Sequence, residues 1–268
     1  MNANDFKIKL TELLEKCPSV KAIAQTGDID APLIPGKSDI DLFVLCDSVP
    51  TCEEREALYV TLIRDYSELH MGVCNGGIWG HGDIFQVEGI DVMPMFFEIT
   101  EMSDYLNEVL EGKHLDNEGG FYPVGRLASV ETINILYEEN REWSKLKEKV
   151  CTYPEKLFDR LFQHHIGLVL NEEDLGRVTL RKEVLFYHMV LEYALDHFLQ
   201  ALFAANHCYF PSRKRSEKYI STFKVKPENC YVRLMSIVKN SIDEATIEQS
   251  INDLQMLTNE LNSMYVKR

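Results

Sequence analysis

Two aspartates separated by one residue stand at the start of an apolar run in the first quarter of the chain. Asp39 and Asp41 lead directly into residues 42–45, Leu-Phe-Val-Leu. Side chains on a strand alternate between its two faces, so both carboxylates point to one face while Ile40 points to the other. Two carboxylates this close repel each other unless a cation lies between them. The pair therefore predicts a divalent-metal site.

A glycine turn precedes this pair. Gly27 follows an apolar stretch, residues 20–26, which predicts a strand, and a loop then connects it to the two aspartates. Because glycine has no Cβ, backbone N–H groups near it can approach a phosphate closely. Metal and phosphate groups together indicate a nucleotide site. The alternative is that Ser38-Asp39-Ile40-Asp41 is only an acidic turn that enters a strand.

This arrangement resembles the signature of the nucleotidyltransferase superfamily, in which Gly-Gly or Gly-Ser follows a strand and, after a spacer of about ten residues, Asp-x-Asp begins the next strand. The resemblance implies that Asp39 and Asp41 hold Mg²⁺ with the triphosphate, and that Gly27 and Ser38 lie near the nucleotide. Asp28 occupies the position of the family's Ser or Gly, a residue that helps hold the phosphates. An anionic side chain there favours an alternative, a catalytically degenerate nucleotide-binding regulator with the same fold.

A third carboxylate follows in a predicted hairpin. Residues 83–87 and 90–97 are predicted strands that Glu88-Gly89 joins. The superfamily carries a carboxylate on a later strand beside the Asp-x-Asp strand, and Asp91 matches it. That carboxylate would bind a second Mg²⁺ or take the proton from the attacking hydroxyl. Glu88 and Asp83 are weaker candidates, and Asp91 as an ordinary polar residue is the other alternative.

The second half of the chain is predicted to be helical. Glycines recur in residues 113–130, which predicts a linker between a first domain, residues 1–112, and a second, residues 131–268. After a short strand at 133–137, helices are expected at 141–150, 154–170, 175–208, 213–223, 228–239 and 245–266. The expected fold class is α+β, with a mixed nucleotidyltransferase-type sheet and flanking helices followed by a helical bundle. This layout resembles the antibiotic-modifying nucleotidyltransferases, including an uncharacterised bacterial branch.

Polar residues form a stripe on the most apolar of these predicted helices. They recur every four residues: His188, Glu192, Asp196 and Gln200. Glu192 and Asp196 are like charges in adjacent turns, which is unfavourable without a cationic partner. If the stripe faces a cleft, Glu192 would be a general base or a clamp for substrate amines, supported by Asp196; the alternative is a solvated face. The pair His164-His165 is interpreted as helix surface or core rather than as a metal site.

The densest basic cluster follows Pro211. Ser212-Arg213-Lys214-Arg215 is expected to form the first turn of a helix, where the helix terminus and the basic side chains both favour phosphate. Arg213 and Lys214 are therefore candidate contacts to the nucleotide triphosphate. The alternative is a basic surface patch that partly neutralises the negative potential around it.

Charge and composition narrow the class of partner. The 268 residues include 28 basic and 43 acidic side chains, for a net charge of −15. Such a balance argues against duplex or RNA substrates and suits a small cationic one. The seven cysteines form no Cys-x-x-Cys pair, the first ten residues have no signal-peptide core, and no apolar run reaches membrane-spanning length. A reduced, cytoplasmic protein without a nucleic-acid or membrane partner is expected.

The predicted function is Mg²⁺-dependent transfer of a nucleoside monophosphate, AMP from ATP, to a hydroxyl of a small molecule, with one or two Mg²⁺ ions. By resemblance the acceptor is an aminoglycoside-like or lincosamide antibiotic, which implies antibiotic resistance. The degenerate nucleotide-binding regulator is the main alternative, and a protein-modifying adenylyltransferase is a third.

Overall fold

The computed structural model describes residues 1–27, 29–62, 69–152 and 154–266 of the chain. Asp28 lies outside the described residues, as do residues 63–66 of a helix that the apolar pattern predicts between Cys52 and Tyr66. Six strands form one sheet: β1 (Val20–Gln25), β2 (Asp39–Cys46), β3 (Leu69–Asn75), β4 (His81–Val87), β5 (Ile90–Glu98) and β6 (Asn134–Glu138). Their order is β3-β4-β5-β2-β1-β6. The pairing of β2 with β5 is parallel and the others are antiparallel, so the expected mixed sheet is confirmed.

The hairpin expected at Glu88-Gly89 is present. Val87 pairs with Ile90 across the turn, which leaves a loop of two residues. Glu88 has φ 53° and Gly89 has φ 77°. Positive φ at both loop positions is the type I′ geometry, whose twist matches that of the flanking strands. This turn starts β5 at Ile90 and so places Asp91 near the beginning of that strand.

Helices precede, separate and follow these strands, and the first two contribute side chains to the core of the sheet. The bounds are α1 (Ala3–Leu14), α2 (Cys52–Tyr59), α3 (Ile99–Leu110), α4 (Pro123–Glu131) and α5 (Glu142–Val150), with a short 3₁₀ helix at Gly77–Trp79. In α1 the buried residues are Ala3, Phe6, Leu10 and Leu14; the last three lie four residues apart and form one apolar stripe. That stripe belongs to the same buried cluster as Ile40 and Leu42 of β2. The apolar face of β2 is therefore the face that α1 covers.

The chain divides into two compact units, each made of two segments. Met1–Glu108 and Ser129–Thr152 form the first unit, and Val109–Ala128 and Tyr153–Arg268 form the second. The division differs from the boundaries expected at 112 and 131. Residues 129–152 join the first unit because β6 pairs with β1 at the edge of the sheet. The chain thus passes between the units three times.

The second unit is helical, as expected. It contains α6 (Glu155–Val169), α7 (Glu172–Arg181), α8 (Val184–Ala205), α9 (Ser216–Thr222), α10 (Cys230–Asn240) and α11 (Ile247–Val266). The single helix expected at 175–208 is wrong, because Lys182 takes φ 55° and ends α7. The helix expected from Arg213 begins only at Ser216, because Arg215 takes φ 61° as its N-cap. Within the described ranges, no helix combines the length and apolarity that crossing a membrane requires.

Candidate functional site

Three carboxylates share one face of two adjacent parallel strands. Asp39 on β2 is the register partner of Asp91 on β5, and Asp41 is the partner of Met93. Register partners on neighbouring strands lie about 4.8 Å apart in the hydrogen-bonding direction and point to the same face. Asp41 shares the face of Asp39 because it follows two residues later. The topology therefore brings Asp39, Asp41 and Asp91 together.

The face that carries these carboxylates is open to solvent at this end of the strands, while the opposite face is buried. Asp39 is exposed and Asp41 and Asp91 are half-buried. Ile40 and Val92, on the other face, are at most 1% exposed. A rigid apolar core therefore anchors the backbone that presents three water-accessible carboxylates, an arrangement suited to a hydrated cation. Gln86 Nε2 donates to Asp91 Oδ1 over 3.2 Å and orients that carboxylate.

The loop between β1 and β2 is held against the hairpin turn beside Asp91. Gly36 N donates to the Gly89 carbonyl over 2.7 Å. Ser38 Oγ accepts from Ile34 N at 2.9 Å, so this hydroxyl helps to hold the loop itself. Gly27 has φ 81°, and a Cβ at that position would meet no atom within 4 Å. The space around Gly27 is therefore open to an incoming group.

Asp83, one of the weaker candidates for the third carboxylate, has a structural role. Its carboxylate is fully buried and accepts from Arg55 Nε at 2.7 Å and Arg55 Nη2 at 3.0 Å. Tyr59 OH and Gly72 N donate to the same carboxylate at 3.0 and 2.9 Å. A carboxylate enclosed in this way does not reach a solvent-exposed metal, so Asp91 is the better of these two candidates.

The helical unit contains a separate cavity of about 740 Å³ with charged walls. Its lining includes Asp116, Tyr122, Glu192, Asp196, Arg213 and Lys214. One cavity of this unit is thus lined by Glu192 of the polar stripe and by Arg213 and Lys214 of the basic cluster.

Arg213 is the cationic partner that the two acidic residues of α8 require. Its Nε donates to Asp196 Oδ1 over 2.6 Å, and its Nη1 forms an ion pair with Glu192. Tyr122 OH, 2.7 Å from Arg213 Nε, donates to Asp196 Oδ1 at 2.5 Å. Burial opposes the charge of the guanidinium, yet the hydrogen bonds to Asp196 and Glu192 raise the pKa of Arg213. Burial and the bond to Asp196 raise the pKa of Tyr122 to about 12.

This network bears on the expected phosphate contact. Asp196 is nearly buried, so its charge depends on Arg213 for compensation. Arg213 would have to leave two carboxylates before it could contact a triphosphate, and that contact stays a prediction. Lys214 lines the same cavity, and its backbone N–H donates to Ser212 Oγ at 3.2 Å.

A second potential metal-binding group lies in the helical unit. Ligand atoms of Asp116, His165 and His197 all lie within 4.8 Å of one another; across the described parts of the chain, no other group of three or more His, Cys, Asp or Glu residues meets this criterion. The strand carboxylates are therefore more widely spread. Burial lowers the pKa of His165 to about 3 and also lowers that of His197, so both rings are neutral at neutral pH. His165 belongs to the His164-His165 pair, for which the sequence predicts helix surface or core. Asp116 and His197 lie far from that pair in the chain, so no local motif indicates the group.

A family described as a domain of unknown function (DUF4037) matches residues 122–215. The structure is similar to a nucleotidyltransferase-like protein from Exiguobacterium sibiricum, with a TM-score of 0.52 and 13% identity over 98% of this chain and 78% of that one. The fold is nucleotidyltransferase-like.

The comparison of structures also found a spectinomycin adenyltransferase from Enterococcus faecialis, solved with ATP and spectinomycin. Its TM-score is 0.33, with 14% identity over 97% of this chain and 100% of that one. No curated protein sequence matches the chain significantly. In the nucleotidyltransferase-like fold of this chain, the parallel pairing of β2 with β5 gives the three carboxylates their common face.

Proposed function

We propose that this chain transfers AMP from ATP to a hydroxyl group of a small molecule and releases pyrophosphate. The observation that carries the proposal is the register of Asp39 with Asp91, with Asp41 on the same face. Oxygen ligands from carboxylates at the solvent-open end of two strands are those that Mg²⁺ prefers, so the residues present fit that ion. When bound, Mg²⁺ neutralises charge on the triphosphate and orients it.

Each carboxylate has a distinct role in this proposal. Asp39 and Asp41 hold the ion that accompanies the triphosphate. Asp91 takes the proton of the attacking hydroxyl, or binds a second ion. The hydroxyl oxygen forms a bond to the α-phosphorus while the bond from that phosphorus to the bridging oxygen breaks, and pyrophosphate leaves. Positioning and charge neutralisation supply most of the rate enhancement in reactions of this kind.

The acceptor class is proposed from charge. The chain has a net charge of −15, and the carboxylate of Glu192 is 60% exposed on the wall of the cavity in the helical unit. An acceptor that carries amines would be attracted by the general field, and an amine that pairs with Glu192 would share its carboxylate with Arg213. Aminoglycosides have both amines and hydroxyl groups. Glu192 as a general base stays a prediction.

The direct test incubates the full-length protein with α-labelled ATP, Mg²⁺ and a panel of acceptors. Aminoglycosides and lincosamides would be compared with uncharged polyols, and both pyrophosphate and adenylylated product would be measured. We expect product with an amine-bearing acceptor only when Mg²⁺ is present. Nucleotide binding without transfer to any acceptor would instead favour the degenerate regulator, and Asp28→Ser would then be tested for recovery of transfer.

A matched pair of variants on β5 distinguishes loss of the site carboxylate from loss of any carboxylate on that strand. Asp91→Asn removes the carboxylate at the start of β5, and Glu98→Gln removes one at its end. Seven residues of a strand span about 23 Å, so the second change is remote from the site. Loss of transfer in Asp91→Asn with retention in Glu98→Gln supports the proposal, and equal activity in both contradicts it.

A further inference from the structure

Side chains from three separate segments of the helical unit converge beside its cavity. His165 lies on α6, His197 on α8, and Asp116 in the connection between α3 and α4. Their ligand atoms lie within 4.8 Å of one another. Asp116 and His197 also line the cavity, whereas His165 is fully buried behind them. The convergence is independent of the strand carboxylates and of the proposed transfer reaction.

The imidazole rings of His165 and His197 face each other through their Nδ1 atoms. His165 Nδ1 lies 2.8 Å from His197 Nδ1. In a hydrogen bond between neutral rings, one nitrogen must carry the proton and the other must offer its lone pair. Two nitrogen ligands of a tetrahedral zinc ion, each roughly 2.0–2.1 Å from the metal, lie about 3.3 Å apart. A small rotation of either ring reaches that separation.

The hydrogen bond between the rings leaves the pair incompletely satisfied. His165 is 0% exposed, and its Nε2 has no hydrogen-bond partner. A buried polar atom without a partner costs free energy, so such an atom in a native site requires an explanation. The buried His165 ring is therefore not retained for its hydrogen bonding alone, and its Nδ1 atom, which faces His197 Nδ1, is placed to coordinate a metal ion.

We propose that Asp116, His165 and His197 bind a Zn²⁺ ion whose fourth coordination position opens to the cavity. Two imidazoles and one carboxylate are a donor set typical of zinc sites that keep an open position. Asp116 is 61% exposed, so the ion would be reached from the solvent side. A water molecule or an oxygen of a bound small molecule fills the fourth position.

A further histidine supports the carboxylate ligand. His164 Nε2 lies 2.6 Å from Asp116 Oδ1 and bonds to it. Partners of this kind fix the orientation of a ligand, and their loss typically weakens metal binding about 10- to 100-fold. His164 is therefore a positioning residue in the proposed site.

The test measures metal binding by the full-length protein without any assay of activity. The chelator-stripped protein is dialysed against Zn²⁺ and its metal content is determined by mass spectrometry; Co²⁺ is then substituted and its visible spectrum recorded. We expect one Zn²⁺ per chain and a tetrahedral Co²⁺ spectrum without the charge-transfer band of a thiolate ligand. A thiolate band would assign the metal to one of the seven free cysteines and overturn the proposal.

Variants then locate the ion. Asp116→Ala lies in an exposed connection and His197→Gln keeps a side chain of similar size, so folding can be verified for both by circular dichroism. Each should lose more than about 100-fold in Zn²⁺ affinity, and His164→Asn about 10- to 100-fold. His188→Asn, on the same helix as His197, should bind as the wild type does. Wild-type affinity in either Asp116→Ala or His197→Gln, or no bound Zn²⁺ in the wild type, overturns the proposal.

Discussion

Asp39 and Asp91 are direct neighbours on adjacent parallel strands, although α2, β3 and β4 separate them in the sequence. Their positions are fixed by two turns, the loop that precedes β2 and the Glu88-Gly89 turn that begins β5. The bond from Gly36 N to the Gly89 carbonyl joins these two turns. A backbone hydrogen bond therefore connects the loop before β2 to the turn before β5, where the two carboxylate-bearing strands begin.

Removal of one carboxylate from the Asp-x-Asp pair should abolish Mg²⁺-dependent nucleotide binding. Asp39→Asn and Asp41→Asn each remove a charged metal ligand, which is expected to weaken Mg·ATP binding at least about tenfold by calorimetry. Thermal stability should stay the same or rise slightly, because fewer like charges repel one another. Unchanged Mg·ATP affinity in both variants would contradict the assignment of the metal site.

Asp91→Asn should separate binding from turnover. If Asp91 acts on the hydroxyl proton in the transition state, kcat should fall about 10²- to 10⁴-fold while nucleotide affinity changes little. Single-turnover kinetics and equilibrium binding on the same preparation measure the two quantities. A parallel loss of both would instead make Asp91 a ligand of the nucleotide-bound ion.

The ion pair between Arg55 and Asp83 predicts a large effect on stability. Arg55→Met would leave the fully buried Asp83 carboxylate without its cation, which typically costs about 3–5 kcal/mol. Urea unfolding measures this loss. Lys145→Met is the control, because the Lys145 side chain is exposed and its ion pair with the half-buried Glu142 is worth about 1 kcal/mol or less. Similar free energies of unfolding for the two variants would show that the Asp83 charge does not depend on Arg55.

Alanine variants of the basic cluster test the triphosphate contact. If Lys214 contacts the β and γ phosphates, Lys214→Ala should weaken the binding of ATP more than that of AMP, by about tenfold to a hundredfold. Equal small losses for ATP and AMP that disappear with added salt would identify a surface patch.

Arg213→Ala should mainly destabilise the helical unit, because Asp196 loses its cationic partner, and Asp196→Asn should restore part of the lost stability.

Tyr122 should make the stability fall at high pH. Its pKa is raised to about 12 in the folded state, against about 10 in the unfolded chain. The neutral Tyr122 phenol therefore contributes its full stabilisation of the folded state below pH 10. As the pH rises from 10 towards 12, the free energy of unfolding falls by about 1.4 kcal/mol per pH unit. Urea titrations of wild type and Tyr122→Phe should diverge in slope over this window. Parallel slopes would show that Tyr122 ionises normally.

The sequence predicted those elements whose determinants are local. The strand Asp39–Cys46, the two-residue hairpin and the strand near Ile135 are confirmed, because alternation and turn chemistry act over few residues. The break at Lys182 was not predicted, because the left-handed conformation falls on a residue that does not favour it. Long-range relationships were also missed: β6 joins the sheet edge, and Arg213 pairs with α8 across the fold.

The two-segment composition of each unit limits how the protein can be divided experimentally. A fragment that ends at residue 112 lacks β6 and leaves β1 as an open sheet edge, with the backbone of Ile23 and Ala24 no longer paired. Such edges recruit other chains, so the fragment would aggregate whether or not its carboxylates can bind metal. Transfer of the helical unit to another chain would likewise require residues 109–128 together with those from 153 onward, as one discontinuous cassette.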